Sequence, residues 1–117
     1  MKTYVQMKAE AQARIRETTP AAVMAMQERG DPFVLVDIRE LHEVNVAKIP
    51  GSIHVPRSHL ESKIEAAVPR DANVVLYCAS GNRTVLAADT LQTMGYSNVA
   101  SMAGGIRGWA DAGGEVE

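Results

Sequence analysis

Asn73-Val74-Val75-Leu76-Tyr77-Cys78-Ala79-Ser80-Gly81-Asn82-Arg83-Thr84 is the stretch that decides the fold. The run from Val74 to Cys78 is continuously apolar, which suits a strand covered on both faces, as strands in parallel sheets are. A polar turn containing Gly81 follows. From Thr84 to Met94 the apolar residues Val85, Ala88 and Leu91 recur at the spacing of one helix face, and Gly95 supplies the stop. Strand, tight loop and helix in that order form one unit of α/β architecture.

The same alternation extends in both directions. Upstream, Phe33-Val34-Leu35-Val36-Asp37 is a second apolar strand, preceded by Thr19 as N-cap, Pro20 in the first helical turn, an apolar helix and a stop at Gly30. A short polar helix fits Glu40 to Val46. Pro50 and Gly51 break the chain before a short strand in Ser52 to Pro56, and His59 to Val68 is predicted helical. Downstream, Asn98 to Met102 is a last strand, and Ala103-Gly104-Gly105 turns into a final helix around Trp109, a core residue. The expected architecture is a central, mainly parallel sheet of four to five strands with helices on both faces and right-handed crossovers. Tyr4, Met7, Ala11 and Ile15 recur at helical spacing. They predict an amphipathic helix from Thr3 to about Arg14 that docks on the domain itself rather than on a partner. Residues 1–13 are therefore expected to be a helical extension and residues 14–117 the domain proper.

A chain of 117 residues with 46% hydrophobic and 22% charged residues is expected to form one packed domain. A net charge of -2 offers no basic face for nucleic acid, and no apolar run is long enough for a signal peptide or a membrane span. The expected compartment is the cytoplasm. The one cysteine cannot form an internal disulfide, so Cys78 is either a small buried hydrophobe or a reactive thiol. His42, His54 and His59 show no ligand spacing and have no further cysteines beside them, so no metal site is expected.

In open α/β sheets, sites form beyond the carboxyl ends of the strands, where loops open and helix N-termini present free N–H groups. Three segments end strands at that edge: Asp37-Ile38-Arg39, Cys78 to Thr84, and Ala103-Gly104-Gly105. A thiol between a buried strand and a helix start meets the positive end of the helix dipole and several backbone donors, which favour the thiolate. Gly81 lets the loop curl with its amides inward, and Arg83 can return a guanidinium to its mouth. Asp37 and Arg39 are expected to form an ion pair that fixes the strand end rather than to act in catalysis. Gly104 and Gly105 form a tight turn, or let that backbone approach the Cys78 loop, and the two are compatible.

At these residues the sequence resembles the single-domain members of the rhodanese family. The resemblance runs from about Arg14 to Trp109. It rests on Asp37-Ile38-Arg39 with Glu43 beyond, Ile49-Pro50-Gly51-Ser52-Ile53 with Pro56, Tyr77-Cys78-Ala79-Ser80-Gly81-Asn82-Arg83-Thr84 with Ala87, Ala88 and Leu91, and Gly104-Gly105 with Trp109. It implies a sulfurtransferase in which Cys78 forms a persulfide and the amides of Ala79, Ser80, Gly81, Asn82 and Arg83 cradle the sulfur. Arg83 would attract an anionic donor such as thiosulfate, and cyanide or a thiol would be the acceptor, with no cofactor needed. It also implies that Asp37 and Arg39 are mainly structural. Lys48 stands where many members have histidine, and Ser52 where many have alanine. Two other readings stay open: a non-catalytic regulatory or binding module, and a cysteine-dependent phosphatase or arsenate reductase. The latter enzymes place five residues between cysteine and arginine, whereas Ala79 to Asn82 is four.

Overall fold

The computed structural model describes every residue from Met1 to Glu117. Its elements are α1 (Tyr4–Arg14), β1 (Arg16–Thr18), α2 (Pro20–Arg29), β2 (Val34–Asp37), α3 (Leu41–Val46), β3 (Ile53–His54), α4 (Leu60–Ala67), β4 (Val74–Tyr77), α5 (Asn82–Thr93), β5 (Val99–Met102) and α6 (Gly105–Asp111). All five strands are parallel, in the order β1-β5-β4-β2-β3. A short 3₁₀ turn at Arg57–His59 precedes α4, so the helix predicted from His59 starts as a tighter coil. No helix is long and apolar enough to cross a membrane.

β4 runs through the middle of the sheet, and its side chains alternate between two cores. Val74 and Leu76 join Val36, Ile38, Ile64 and Leu91 on one face, while Val75 and Tyr77 join Val23, Leu35, Met102 and Trp109 on the other. All four β4 residues are buried, and each such side chain contributes on the order of 1.5–3 kcal/mol on leaving water. This two-sided burial is why the strand is apolar throughout. It also places the carboxyl ends of β2, β4 and β5 side by side, with Asp37 level with Tyr77 and Leu76 level with Ser101.

The helix expected at the N-terminus is α1, started by a capping box. Thr3 Oγ1 accepts from the Gln6 amide at 3.1 Å, and Gln6 Oε1 accepts from the Thr3 amide at 2.8 Å. It docks on α5. Ala11 is buried, Arg14 makes two hydrogen bonds to Asp89 at 2.9 and 2.8 Å, and Lys8 Nζ donates to Asn82 Oδ1 at 2.8 Å. Tyr4 and Met7 stay exposed, so the buried face is narrower than the apolar spacing predicted. The apolar contact with the domain is made by the later turns of α1, through Ala11 and the adjoining Ile15.

Candidate active site

Cys78 leaves the end of β4 with its side chain 1% exposed. Its Sγ accepts a hydrogen bond from the Gly81 amide at 3.1 Å. The amides of Ala79, Ser80, Asn82 and Arg83 find no acceptor within the chain and remain available as donors at the loop. Gly81 turns the loop with φ +93°, and a Cβ there would stand 2.9 Å from the Gly104 amide nitrogen. Thr84 fixes the start of α5 from below: its Oγ1 donates to the Gly81 carbonyl at 3.0 Å and, in the interior, meets Ser101 Oγ at 2.6 Å.

The turn after β5 closes on this loop from the other side. The Ile106 amide donates to the Cys78 carbonyl at 2.9 Å and the Arg107 amide to the Ala79 carbonyl at 3.2 Å. Both the tight turn and the close approach expected of Gly104 and Gly105 are present. The start of α6 and the start of the cysteine loop thus hold each other in register. Nothing in the local sequence pairs Ile106 or Arg107 with Cys78; only the two glycines hinted at it.

Asp37 and Arg39 form a buried pair, with Arg39 Nε donating to Oδ1 at 3.0 Å and Nη2 to Oδ2 at 2.8 Å. Arg39 Nη2 also donates to the Ala47 carbonyl at 2.6 Å, and the guanidinium lies 5.6 Å from the Tyr77 ring centre. Burial works against the Arg39 charge, and Asp37 more than offsets it, leaving the arginine pKa raised. The arrangement ties β2, α3 and β4 together. Burial likewise pushes the Tyr77 hydroxyl up to about 12, and it accepts from the Ile49 amide at 3.2 Å and meets Ser52 Oγ at 3.0 Å. Ser52 is therefore a tie to the strand beneath the cysteine. Lys48 pairs with the C-terminal segment, exchanging backbone hydrogen bonds with Glu117 at 2.9 Å in each direction.

Arg83 lies at the end of the loop, and its guanidinium is taken by Glu43 of α3, through Nη1 to Oε1 at 2.9 Å and Nη2 to Oε2 at 3.0 Å. Sequence reasoning gave Glu43 no role, since 40 residues separate the partners and no local pattern joins them. The Arg83 hydrogen bonds hold the Glu43 carboxyl down at about 2, against a partial opposing effect of burial. The pair cancels charge at the mouth of the loop. It also links stability to pH. The folded-state value lies below the usual 4.5, so the stabilisation is complete above about pH 4.5 and fades as the pH falls toward 2. The Arg83 side chain is 38% exposed, so solvent screening limits the pair to about 1 kcal/mol. Urea midpoints measured across that window should fall more steeply for wild type than for Glu43→Gln. Parallel curves would remove the pair from the stability balance.

Beside the loop opens a cleft of about 460 Å³, bounded by α3, Ala79, α6 and Val116. No group of histidine, cysteine and acidic side chains is arranged to hold a metal ion.

Residues 19–112 match the family model of the rhodanese-like domain. The chain is 39% identical over 80 residues to a sulfurtransferase of Allochromatium vinosum, covering 68% of this chain and 74% of that protein. It is 36% identical over 100 residues to the thiosulfate:glutathione sulfurtransferase of Saccharomyces cerevisiae, covering 74% and 72% of the two chains. Among solved structures, it is similar to a protein of unknown function from Rhodopseudomonas palustris, described as a possible tyrosine phosphatase. That similarity has a TM-score of 0.90 and 38% identity, over 100% of this chain and 96% of that one.

Proposed function

The chain belongs to the rhodanese-like domain family, and from that premise we propose that it is a sulfurtransferase moving a sulfane sulfur from thiosulfate or a related donor to cyanide or a thiol. The Cys78 thiolate attacks the outer sulfur of the donor. A bond forms between Cys78 Sγ and that sulfur, the donor S–S bond breaks, and sulfite departs with its electron pair. The acceptor then attacks the outer sulfur of the Cys78 persulfide, and Cys78 leaves as thiolate, ready for another cycle. The cytoplasm, where thiols stay reduced, is the compartment that suits this chemistry.

The observation that carries this reading is the loop itself. The chain's only thiol already accepts one amide, and the amides of Ala79, Ser80, Asn82 and Arg83 are left unpaired in a loop that sets four residues between Cys78 and Arg83. Preorganised N–H donors suit the charge that builds on sulfur during both transfers. The sulfurtransferases of Allochromatium vinosum and Saccharomyces cerevisiae support the same class, and the latter's name supports a glutathione-like thiol as acceptor.

The phosphatase reading has one observation in its favour, the description of the Rhodopseudomonas palustris protein. Against it stands the loop, one residue shorter than cysteine phosphatases use, which should misplace a phosphoryl group for in-line attack. Misplacement by about an ångström costs on the order of a hundredfold in rate. Wild type is expected to convert thiosulfate and cyanide to thiocyanate and sulfite while hydrolysing an aryl phosphate negligibly. Aryl phosphate hydrolysis that depends on Cys78, with no thiocyanate formed, would establish the phosphatase instead. Inactivity in both assays would favour a non-catalytic module.

A further inference from the structure

Charge around the cysteine loop is almost entirely spoken for. Arg39 is neutralised by Asp37 and Arg83 by Glu43. Elsewhere Arg14 is held by Asp89, Arg16 by Asn98, Arg29 by Asp31, Arg57 by Glu61 and Arg70 by Glu65. Arg107 is the one arginine whose guanidinium makes no hydrogen bond and no ion pair, although its own amide is fastened to Ala79, the residue after the nucleophile. It stands on the rim of the cleft beside the loop.

The walls of that cleft are mostly apolar: Val46 from α3, Ala79 from the loop, Ile106 and Ala110 from α6, and Val116 from the C-terminal segment. Val46 is 85% exposed and Val116 44% exposed, so organic surface rather than water is the natural complement of this wall. Its volume of about 460 Å³ falls within the ~300–1,000 Å³ typical of organic ligands, and a small inorganic anion would leave most of it empty. A free guanidinium at the edge of an apolar cleft selects a molecule with an apolar or extended body and a carboxylate at one end.

We propose that Arg107 binds the carboxylate of an organic thiol lying in this cleft, and so is the residue that sets the site's specificity for its acceptor. The assignment rests on the sulfurtransferase reading for the identity of the thiol as acceptor, and on geometry and charge for the role of Arg107. The body of the thiol packs on Val46 and Ile106, its carboxylate meets Arg107, and its sulfur is directed to the cysteine loop through the tie between Arg107 and Ala79.

Two measurements test this. Binding of S-methylglutathione, which cannot accept sulfur, is followed by calorimetry for wild type, Arg107→Ala and Arg107→Lys. Acceptor kinetics with glutathione and with uncharged 2-mercaptoethanol are followed for the same three proteins. Arg107→Ala should weaken S-methylglutathione binding and raise KM for glutathione on the order of tenfold, with kcat and the KM for 2-mercaptoethanol little changed. Arg107→Lys should lie between, and added salt should shrink the difference. Wild type that fails to bind S-methylglutathione, an alanine variant that binds it equally, or equal KM changes for both thiols would overturn the assignment. Arg107-dependent binding without any sulfur transfer would instead leave the assignment standing and remove the sulfurtransferase reading.

Discussion

Cys78→Ser takes up no sulfur from thiosulfate and loses turnover by at least a thousandfold, while wild type gains one reducible sulfur atom per chain. The expectation follows from the chain having a single thiol, held at the end of β4 with its Sγ on the Gly81 amide. A serine hydroxyl at the same place keeps that hydrogen bond but is not ionised near neutral pH, and the covalent step needs an anion with sulfur's nucleophilicity. The substitution also places a hydroxyl in the core cluster that Cys78 joins, and the retained hydrogen bond keeps the cost to about 1 kcal/mol. A folding measurement therefore accompanies the assay. Mass spectrometry after thiosulfate treatment reports the sulfur directly. A serine variant that is folded and still transfers sulfur would dismiss Cys78 as the carrier.

What the sequence disclosed depended on whether the relevant physics is local. β4 was legible because a strand buried on both faces must be apolar at every position, as Val74 to Tyr77 are. The alternation of strands and helices then dictated parallel pairing, and with it the shared carboxyl edge on which Asp37, Cys78 and Gly104 meet. β1 was not legible. Arg16-Glu17-Thr18 has no apolar pattern, lies at the edge of the sheet, and is held by its ladder to Ala100, Ser101 and Met102. The same limit hid the site's long-range partners. Glu43 and Arg83, Thr84 and Ser101, and the Arg107 amide with Ala79 meet only after the chain has folded. Arg83 shows the consequence most clearly: its place in the loop put a guanidinium at the loop's mouth, and only the fold adds Glu43 as that guanidinium's partner.

Gly105→Ala is expected to lower kcat/KM on the order of a hundredfold or more, although residue 105 carries no chemistry of its own. Gly105 has φ +57°, a conformation that costs a residue bearing a Cβ on the order of 1–3 kcal/mol. The new methyl would stand 2.6 Å from the Ala79 carbonyl carbon and 2.7 Å from its oxygen, and closer still to the Cys78 carbonyl oxygen. These are backbone atoms of the cysteine loop, so no flexible side chain can yield. Relief has to come from pushing the loop and the start of α6 apart, which breaks the hydrogen bonds from Ile106 to Cys78 and from Arg107 to Ala79. A displacement of about an ångström at the nucleophile is enough for the stated loss. Gly108→Ala, one turn along α6, is the matched control. Its φ is not in the left-handed region, and its Cβ would meet Pro20 Cγ at 3.5 Å in ordinary contact. That variant should keep wild-type turnover and change stability by less than about 1 kcal/mol. Thiosulfate kinetics beside urea unfolding separate a moved loop from a merely weakened fold: a stable Gly105→Ala protein with intact turnover would show that the loop holds its shape without the glycine turn.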